Sequence, residues 1–164
     1  MFHNLIKSAL CLTAGVLLQT SSCLIDASVE PGSDVDPNNV RIRFVNQSSQ
    51  ALDVLFYATA ADLTNPADVD TVLFTPANQV IANIGFAGSG LIPAGETDEI
   101  TLNGANARTL GTRGGAFINK DTGEHLGTGQ QRVFSINLQY SCGDTLSIVY
   151  KATATGYETS WLLN

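Results

Sequence analysis

Histidine, methionine and cysteine are scarce in this sequence: two, one and three of each occur among 164 residues, and Lys plus Arg together number eight. Met1 and His3 sit at the N-terminus, so the body of the chain offers one imidazole, His125, and no thioether. A blue-copper centre, which needs two His, a Cys and usually an axial Met, is excluded by that inventory. Zinc sites fail for the same shortage of His and Cys. The cationic residues are few and nowhere clustered, which argues against nucleic acid, whose binding rests on neutralising phosphates. Three cysteines do not make the disulfide framework of a small secreted domain. No window carries a sustained helical period with caps, and no apolar run reaches the ~20 residues needed to span a bilayer.

Catalytic motifs are also missing. Ser89 lies in Ala87-Gly88-Ser89-Gly90-Leu91, which is not the G-x-S-x-G elbow of a serine hydrolase. His125 follows Gly123-Glu124 in a turn-rich stretch and reads as a solvated loop residue. Asp98 and Glu99 are adjacent, so on a strand they face opposite ways and cannot act as a carboxylate pair. Glu96 and Glu124 have no partner that the sequence identifies. The glycines of Leu110-Gly111-Thr112-Arg113-Gly114-Gly115 lack the Lys-Ser/Thr of a phosphate loop and are expected in turns of positive φ. The expectation is a protein that is not an enzyme and holds no cofactor.

What is present begins with a leader. Residues 1–22 combine a short positive start ending near Lys7, the apolar run Ala9–Leu18, and the small residues Thr20-Ser21-Ser22. Cys23 follows directly. Ser21-Ser22-Cys23 resembles the end of a bacterial lipobox, in which the cysteine becomes the first mature residue and carries a diacylglycerol on its sulfur. That resemblance implies Cys23 as a lipid-attachment site and a protein anchored to a membrane outside the cytoplasm. Lipoboxes usually place Leu, Val or Ile three residues before the cysteine, where this chain has Thr20. The alternative is an ordinary secretory signal cut near Ser22, which releases a soluble protein. Cys11 leaves with the leader in either case, so Cys23 and Cys142 remain. They could pair, but the lipobox resemblance favours lipid on Cys23. With Lys7 gone, fifteen acidic residues face seven basic ones, a net charge of −8.

Residues 23–39, acidic and containing Pro31, Gly32 and Pro37, read as a flexible tether. A single domain is expected over 40–164. There Val40, Ile42 and Phe44 alternate with Arg41 and Arg43, and Asn46-Gln47-Ser48-Ser49 supplies a turn into a second strand through Leu52, Val54 and Phe56, a hairpin candidate. Thr71–Thr75 reads as a short β-rich run, and Gln79–Phe86 as a strand or an irregular crossing. Leu91–Gly95 turns into a strand at Glu99–Leu102, Ala116–Ile118 is strand-like, and Asp121-Thr122-Gly123 is a tight turn. Phe134, Ile136, Leu138 and Tyr140 alternate with polar residues, and Leu146, Ile148 and Tyr150 resume after Gly143-Asp144, which predicts a second hairpin. A last strand runs through Tyr157, Thr159, Trp161 and Leu163. Seven to nine short strands predict an all-β fold, an antiparallel sandwich of immunoglobulin-like architecture with a barrel as the lesser option.

Three segments carry a wider resemblance: Arg43-Phe44-Val45-Asn46 with Leu52–Thr59, Ile84–Gly88, and Cys142-Gly143-Asp144-Thr145. They resemble lipoproteins of the kind typical of planctomycete bacteria. The resemblance implies an extracytoplasmic lipoprotein, and it brings no activity or functional residue with it.

Two weaker sites complete the reading. Asp34-x-Asp36-x-Asn38 spaces oxygen ligands as calcium loops do, without the later glycine and carboxylate of such loops. Tyr57, Tyr157 and Trp161 would make an aromatic platform for a glycan if they shared an exposed face, although aromatics in alternating strands are more often core. Cys142 keeps phase with Tyr140 and is expected to point inward as a small hydrophobe. The function that follows is a structural or protein-interaction role in the cell envelope, with glycan or calcium binding as the alternative.

Overall fold

The computed structural model describes residues 36–80 and 90–164. In strand β1 (Asn39–Asn46) every second residue is buried: Val40, Ile42, Phe44 and Asn46. Branched and aromatic residues at period two, with arginines between them, give a strand one apolar face. That face belongs to a four-stranded sheet of β1, β5 (Thr97–Asn103), β10 (Thr145–Thr153) and β11 (Gly156–Leu163), in the order β11–β10–β1–β5.

The opposing layer holds two sheets. One is β4–β2–β7–β8, from β2 (Ala51–Asp53), β4 (Leu91–Ile92), β7 (Ala116–Ile118) and β8 (His125–Thr128). The other is β3–β6–β9, from β3 (Phe56–Thr59), β6 (Thr109–Thr112) and β9 (Arg132–Ser135). Three extended stretches, 51–59, 109–118 and 125–135, pass through both sheets and break midway. The break has a local cause. Phe56 pairs with Thr112 and Asp53 with Ala116, so the stretch 112–116 carries one residue more than its partner, which is a bulge. Gly114 and Gly115 absorb it at φ +91° and +60°, a backbone region that costs residues with a Cβ. A Cβ on Gly114 would lie 2.0 Å from the carbonyl oxygen of Gly129, and one on Gly115 would lie 2.7 Å from Leu52 Cδ1.

One core fills the space between the layers. Val40, Ile42, Phe44, Ile100, Leu146, Ile148 and Tyr150 of the first sheet meet Leu52, Phe56, Ile92, Leu110, Phe117 and Phe134 of the second layer. Phe44 and Phe56 pack edge to face with centroids 5.1 Å apart. The architecture is the expected all-β sandwich, with no closed barrel. Its ladders are antiparallel but for one, β1 beside β10, which is parallel (Arg41↔Thr145 to Asn46↔Tyr150). Alternation reads the same in either direction, so only the tertiary path could set that pairing.

A smaller cluster covers the outer face of β3–β6–β9. Asn65 caps a helical turn at Pro66–Asp68, its Oδ1 accepting from Ala67 N–H at 3.1 Å. The helix continues as a wider turn at Val69–Leu73, closed by Phe74 N–H donating to Val69 O. Leu73 and Phe74 thereby pack on Tyr57. Gly111 makes this approach feasible, because a Cβ there would meet Leu73 Cδ2 at 2.8 Å.

Several local expectations are corrected. Thr71–Thr75 is not strand: Asn65-Pro66 starts a helix with a capping side chain and a proline in its first turn. The run Leu52–Phe56 is split between β2 and β3, and neither pairs with β1, so the first hairpin does not form. The second is also absent, since β9 ends at Ser135 and pairs with β6 while β10 pairs with β1 and β11. Asn137 adopts φ +62°, and Leu138 turns out to solvent. Asn tolerates this left-handed conformation better than most residues, and the turn is pinned where Tyr140 OH donates to Ala107 O. Ile136 and Tyr140 still reach the core, now from opposite ends of a turn. The β1 and β11 strands and the Gly123 turn (φ +73°) form as expected. Of Gln79–Phe86, Gln79 bridges Tyr57 and Val80 N–H donates to Phe56 O, while 81–86 lie outside the described residues.

Candidate interaction surface

Strand β11 forms an outer edge of the first sheet. Its even-numbered residues face β10: Asn164 and Thr145 exchange both backbone hydrogen bonds at 3.0 Å, so Leu162, Ser160 and Glu158 bond inward in the same phase. Thr159, Trp161 and Leu163 therefore turn their N–H and C=O groups away from the sheet. At Thr159 two side chains occupy that edge. Gln130 Oε1 accepts from Thr159 N–H at 3.3 Å, and Arg132 Nε donates to Thr159 O at 3.2 Å. Beyond it, no described residue supplies a partner to the outward backbone of Trp161 or Leu163. The side chains there are apolar and open: Trp161, Leu162 and Leu163 are 39%, 60% and 45% exposed. An edge whose middle is capped and whose end is bare can accept one more strand.

The same strand carries two of the three aromatics expected as a platform. Tyr157 stacks on Phe117 at 4.0 Å, and Trp161 packs edge-on to Phe134 at 5.7 Å. Tyr57 is elsewhere, on β3, buried against Phe74 with the Arg113 guanidinium 6.0 Å from its ring. The three do not form one surface. Neither the open edge nor its capping by Gln130 and Arg132 was visible beforehand, because edge status depends on strand order. The exposed run Trp161-Leu162-Leu163 was the available signal, since a strand with one buried face seldom places apolar residues on both.

Of the calcium ligands, Asp34 lies outside the described residues. Asp36 Oδ1 already accepts from the backbone and the side-chain amide of Asn38, at 2.9 and 3.2 Å, an Asx turn that leads the chain into β1. Cys23 and Ser89 also lie outside the described residues. Among the described residues no group of three His, Cys, Asp or Glu converges. His125 opens β8 and is exposed. Glu99 pairs with Arg43 at 2.9 Å, and Asp98 Oδ1 accepts from Glu99 N–H. The half-buried Asp53 was not singled out by the sequence. Burial raises its carboxyl pKa, and it sits on β2 beside Gly90.

Cys142 departs from expectation. It packs against the core, half-buried, but as half of a disulfide and not as a thiol. The other cysteines of the chain, Cys11 and Cys23, both precede the first described residue.

No family model matches the chain, and no curated protein does, so the planctomycete-type resemblance finds no support there. Among solved structures the chain is similar to the T6SS lipoprotein TssJ1 from Pseudomonas aeruginosa. The two are 16% identical with a TM-score of 0.39, over 79% of this chain and 98% of that one. A likeness at that level is too distant to bear on fold or function.

Proposed function

We propose that this chain is an exported, non-catalytic domain that acts outside the cytoplasm by binding another protein, through strand addition at the open end of β11. The observation that carries this reading is the edge at Trp161–Leu163, whose outward N–H and C=O groups bond no described residue and whose three apolar side chains are exposed. An extended segment of a partner would gain main-chain hydrogen bonds there and bury Trp161 and Leu163 or Leu162 according to its own alternation. Two features support the extracytoplasmic compartment: the sequence of residues 1–22, which reads as a leader, and a disulfide at Cys142, a bond that persists in oxidising surroundings. In this reading the acidic surface keeps the domain soluble.

The test places a photo-crosslinking amino acid at Leu162 in the expressing organism, with Thr101 on the opposite edge strand as control. A discrete heavier product from position 162 alone is expected. It should vanish in Leu163→Pro, which removes an outward N–H without disturbing the ladder to β10. Equal crosslinking from both positions, or none from either, would overturn the reading.

A further inference from the structure

The open end of β11 is complementary to itself. Trp161 and Leu163 turn their N–H and C=O groups outward with no described residue to meet them, while Thr159 is held by Gln130 and Arg132. The edge is also uncharged. Glu158, the one charged residue of β11, pairs with Lys151 at 3.3 Å, and no charged side chain lies from Thr159 to Leu163. Monomeric sheets commonly guard a free edge with a charge, a proline or a bulge, and none of these stands here. We propose that the strand added at this edge is β11 of a second copy of the chain, antiparallel about a two-fold axis at Leu162. The proposal rests on the strand-addition reading above and names its partner.

Register decides the fit. A two-fold contact is isologous: where one residue faces another, the second copy repeats the pair in reverse. With the axis at Leu162, Trp161 faces Leu163 of the second copy, and Leu163 faces its Trp161. These are the residues whose main-chain groups point outward, so each outward N–H meets an outward C=O across the axis, as in any antiparallel ladder. Thr159 is not called on and keeps its two side-chain caps. An axis one residue earlier, at Trp161, would set Leu163 against Thr159 of the second copy, whose N–H and C=O are already occupied.

The side chains match in the same register. Indole and leucine cross as an aromatic–aliphatic pair on the core side, and Leu162, 60% exposed, meets its own counterpart on the outer side. Charge does not oppose the contact. Copies of an acidic chain repel one another over most of their surface, and an uncharged edge is where that repulsion is least. Two four-stranded sheets thereby join into one, and β11 is no longer an edge. A contact this short falls below the roughly 1,200 Å² of a standard interface, so the two copies exchange and the dimer fraction rises with concentration.

Cysteine crosslinking of the full chain tests the register. Leu162→Cys sets two Cα atoms about 4.5 Å apart across the axis, the separation of a non-hydrogen-bonded antiparallel pair and within the range a disulfide spans. Under a mild oxidant this variant is expected to pass mostly into a covalent dimer, and peptide mapping should find position 162 joined to itself. Thr101→Cys, on the opposite edge strand, should give no dimer through position 101. Adding Leu163→Pro, which removes an outward N–H, should cut the Leu162→Cys dimer by about tenfold. Should that double variant fail to accumulate, Leu163→Lys, which puts a charge on the edge, serves in its place. Equal dimer through positions 162 and 101, or a dimer that survives both changes at Leu163, would overturn the proposal. A Leu162→Cys chain that stays monomeric would overturn it too. In that event the strand-addition reading stands if photo-crosslinking at Leu162 joins the chain to a different protein, and falls with the proposal if it joins it to none.

Discussion

The Tyr150 hydroxyl lies 3.0 Å from Thr112 Oγ1 in the middle of the core, and this hydrogen bond joins the two layers of the sandwich at the bulge. Thr112 Oγ1 also accepts from Gly114 N–H at 3.1 Å, so the same hydroxyl holds the glycine that breaks the second layer. Tyr150→Phe leaves a buried hydroxyl with one partner fewer and is expected to cost about 1–2 kcal/mol. Urea unfolding of the variant measures it, and an unchanged midpoint would mean the bond contributes nothing.

Alkaline pH should unfold the protein. Burial raises the phenol pKa of Tyr150, with the Thr112 hydrogen bond opposing, and also raises that of Tyr140, where Arg108 opposes and Asp62 adds. Because the folded pKa exceeds the ordinary 10.0, the stability tied to the neutral phenols is fully present below pH 10 and is lost as pH climbs above it. The loss for each group is about 1.4 kcal/mol per pH unit in that range. Absorbance at 295 nm should show these two tyrosines ionising together with the loss of circular dichroism, not before it.

Asn46 is fully buried and fully used. Its amide donates to the carbonyls of Gln50, Ile92 and Pro93 at 2.8, 3.0 and 3.0 Å, and its Oδ1 accepts from Ser48 N–H and Oγ. Asn46→Ala takes a donor from all three carbonyls, of which Gln50 O keeps the Ser48 hydroxyl and Pro93 O keeps Glu96 N–H, and it is expected to cost about 2–3 kcal/mol. Asn46→Asp should be worse, because a carboxylate cannot donate to a carbonyl and would be buried unpaired. Comparison of the two melting curves checks the order.

Gly114→Ala and Gly95→Ala separate backbone strain from collision. Both glycines have positive φ, +91° and +77°, but a Cβ at Gly95 meets nothing within 4 Å. The Gly95 variant should lose about 1–2 kcal/mol from conformation alone. The Gly114 variant adds a clash with Gly129 O and should lose about 4 kcal/mol or more, enough to abolish soluble expression.

Reduction should weaken the fold. With Cys142 in a disulfide, a reductant is expected to lower unfolding free energy by about 2–4 kcal/mol. In Cys142→Ser the urea midpoint should be the same with and without reductant. A wild-type midpoint insensitive to reductant would contradict the structure at this position.

Fold class was legible because one-faced strands announce themselves at short range. β1 and β11 could be read from Val40-Ile42-Phe44 and Tyr157-Thr159-Trp161, since a strand that buries one face must alternate. Phe134–Tyr140 alternates equally well and is half strand, half turn. Its apolar residues reach the same core by either path, so periodicity alone could not distinguish them. The helix at 66–73 was announced by Asn65-Pro66, a capping pair that the β-rich composition of Thr71–Thr75 overshadowed.

By itself the sequence determined an acidic chain whose alternating strands build an all-β sandwich core. Those properties depend on composition and on neighbours within a few residues. The tertiary structure alone decided that β1 runs parallel to β10, that β11 stands at an edge where no described residue bonds the outward backbone of Trp161 and Leu163, and that Cys142 is a half-cystine. Each depends on which distant segments lie side by side, and the cost of closing those long loops is met by the shared core, not by any local preference.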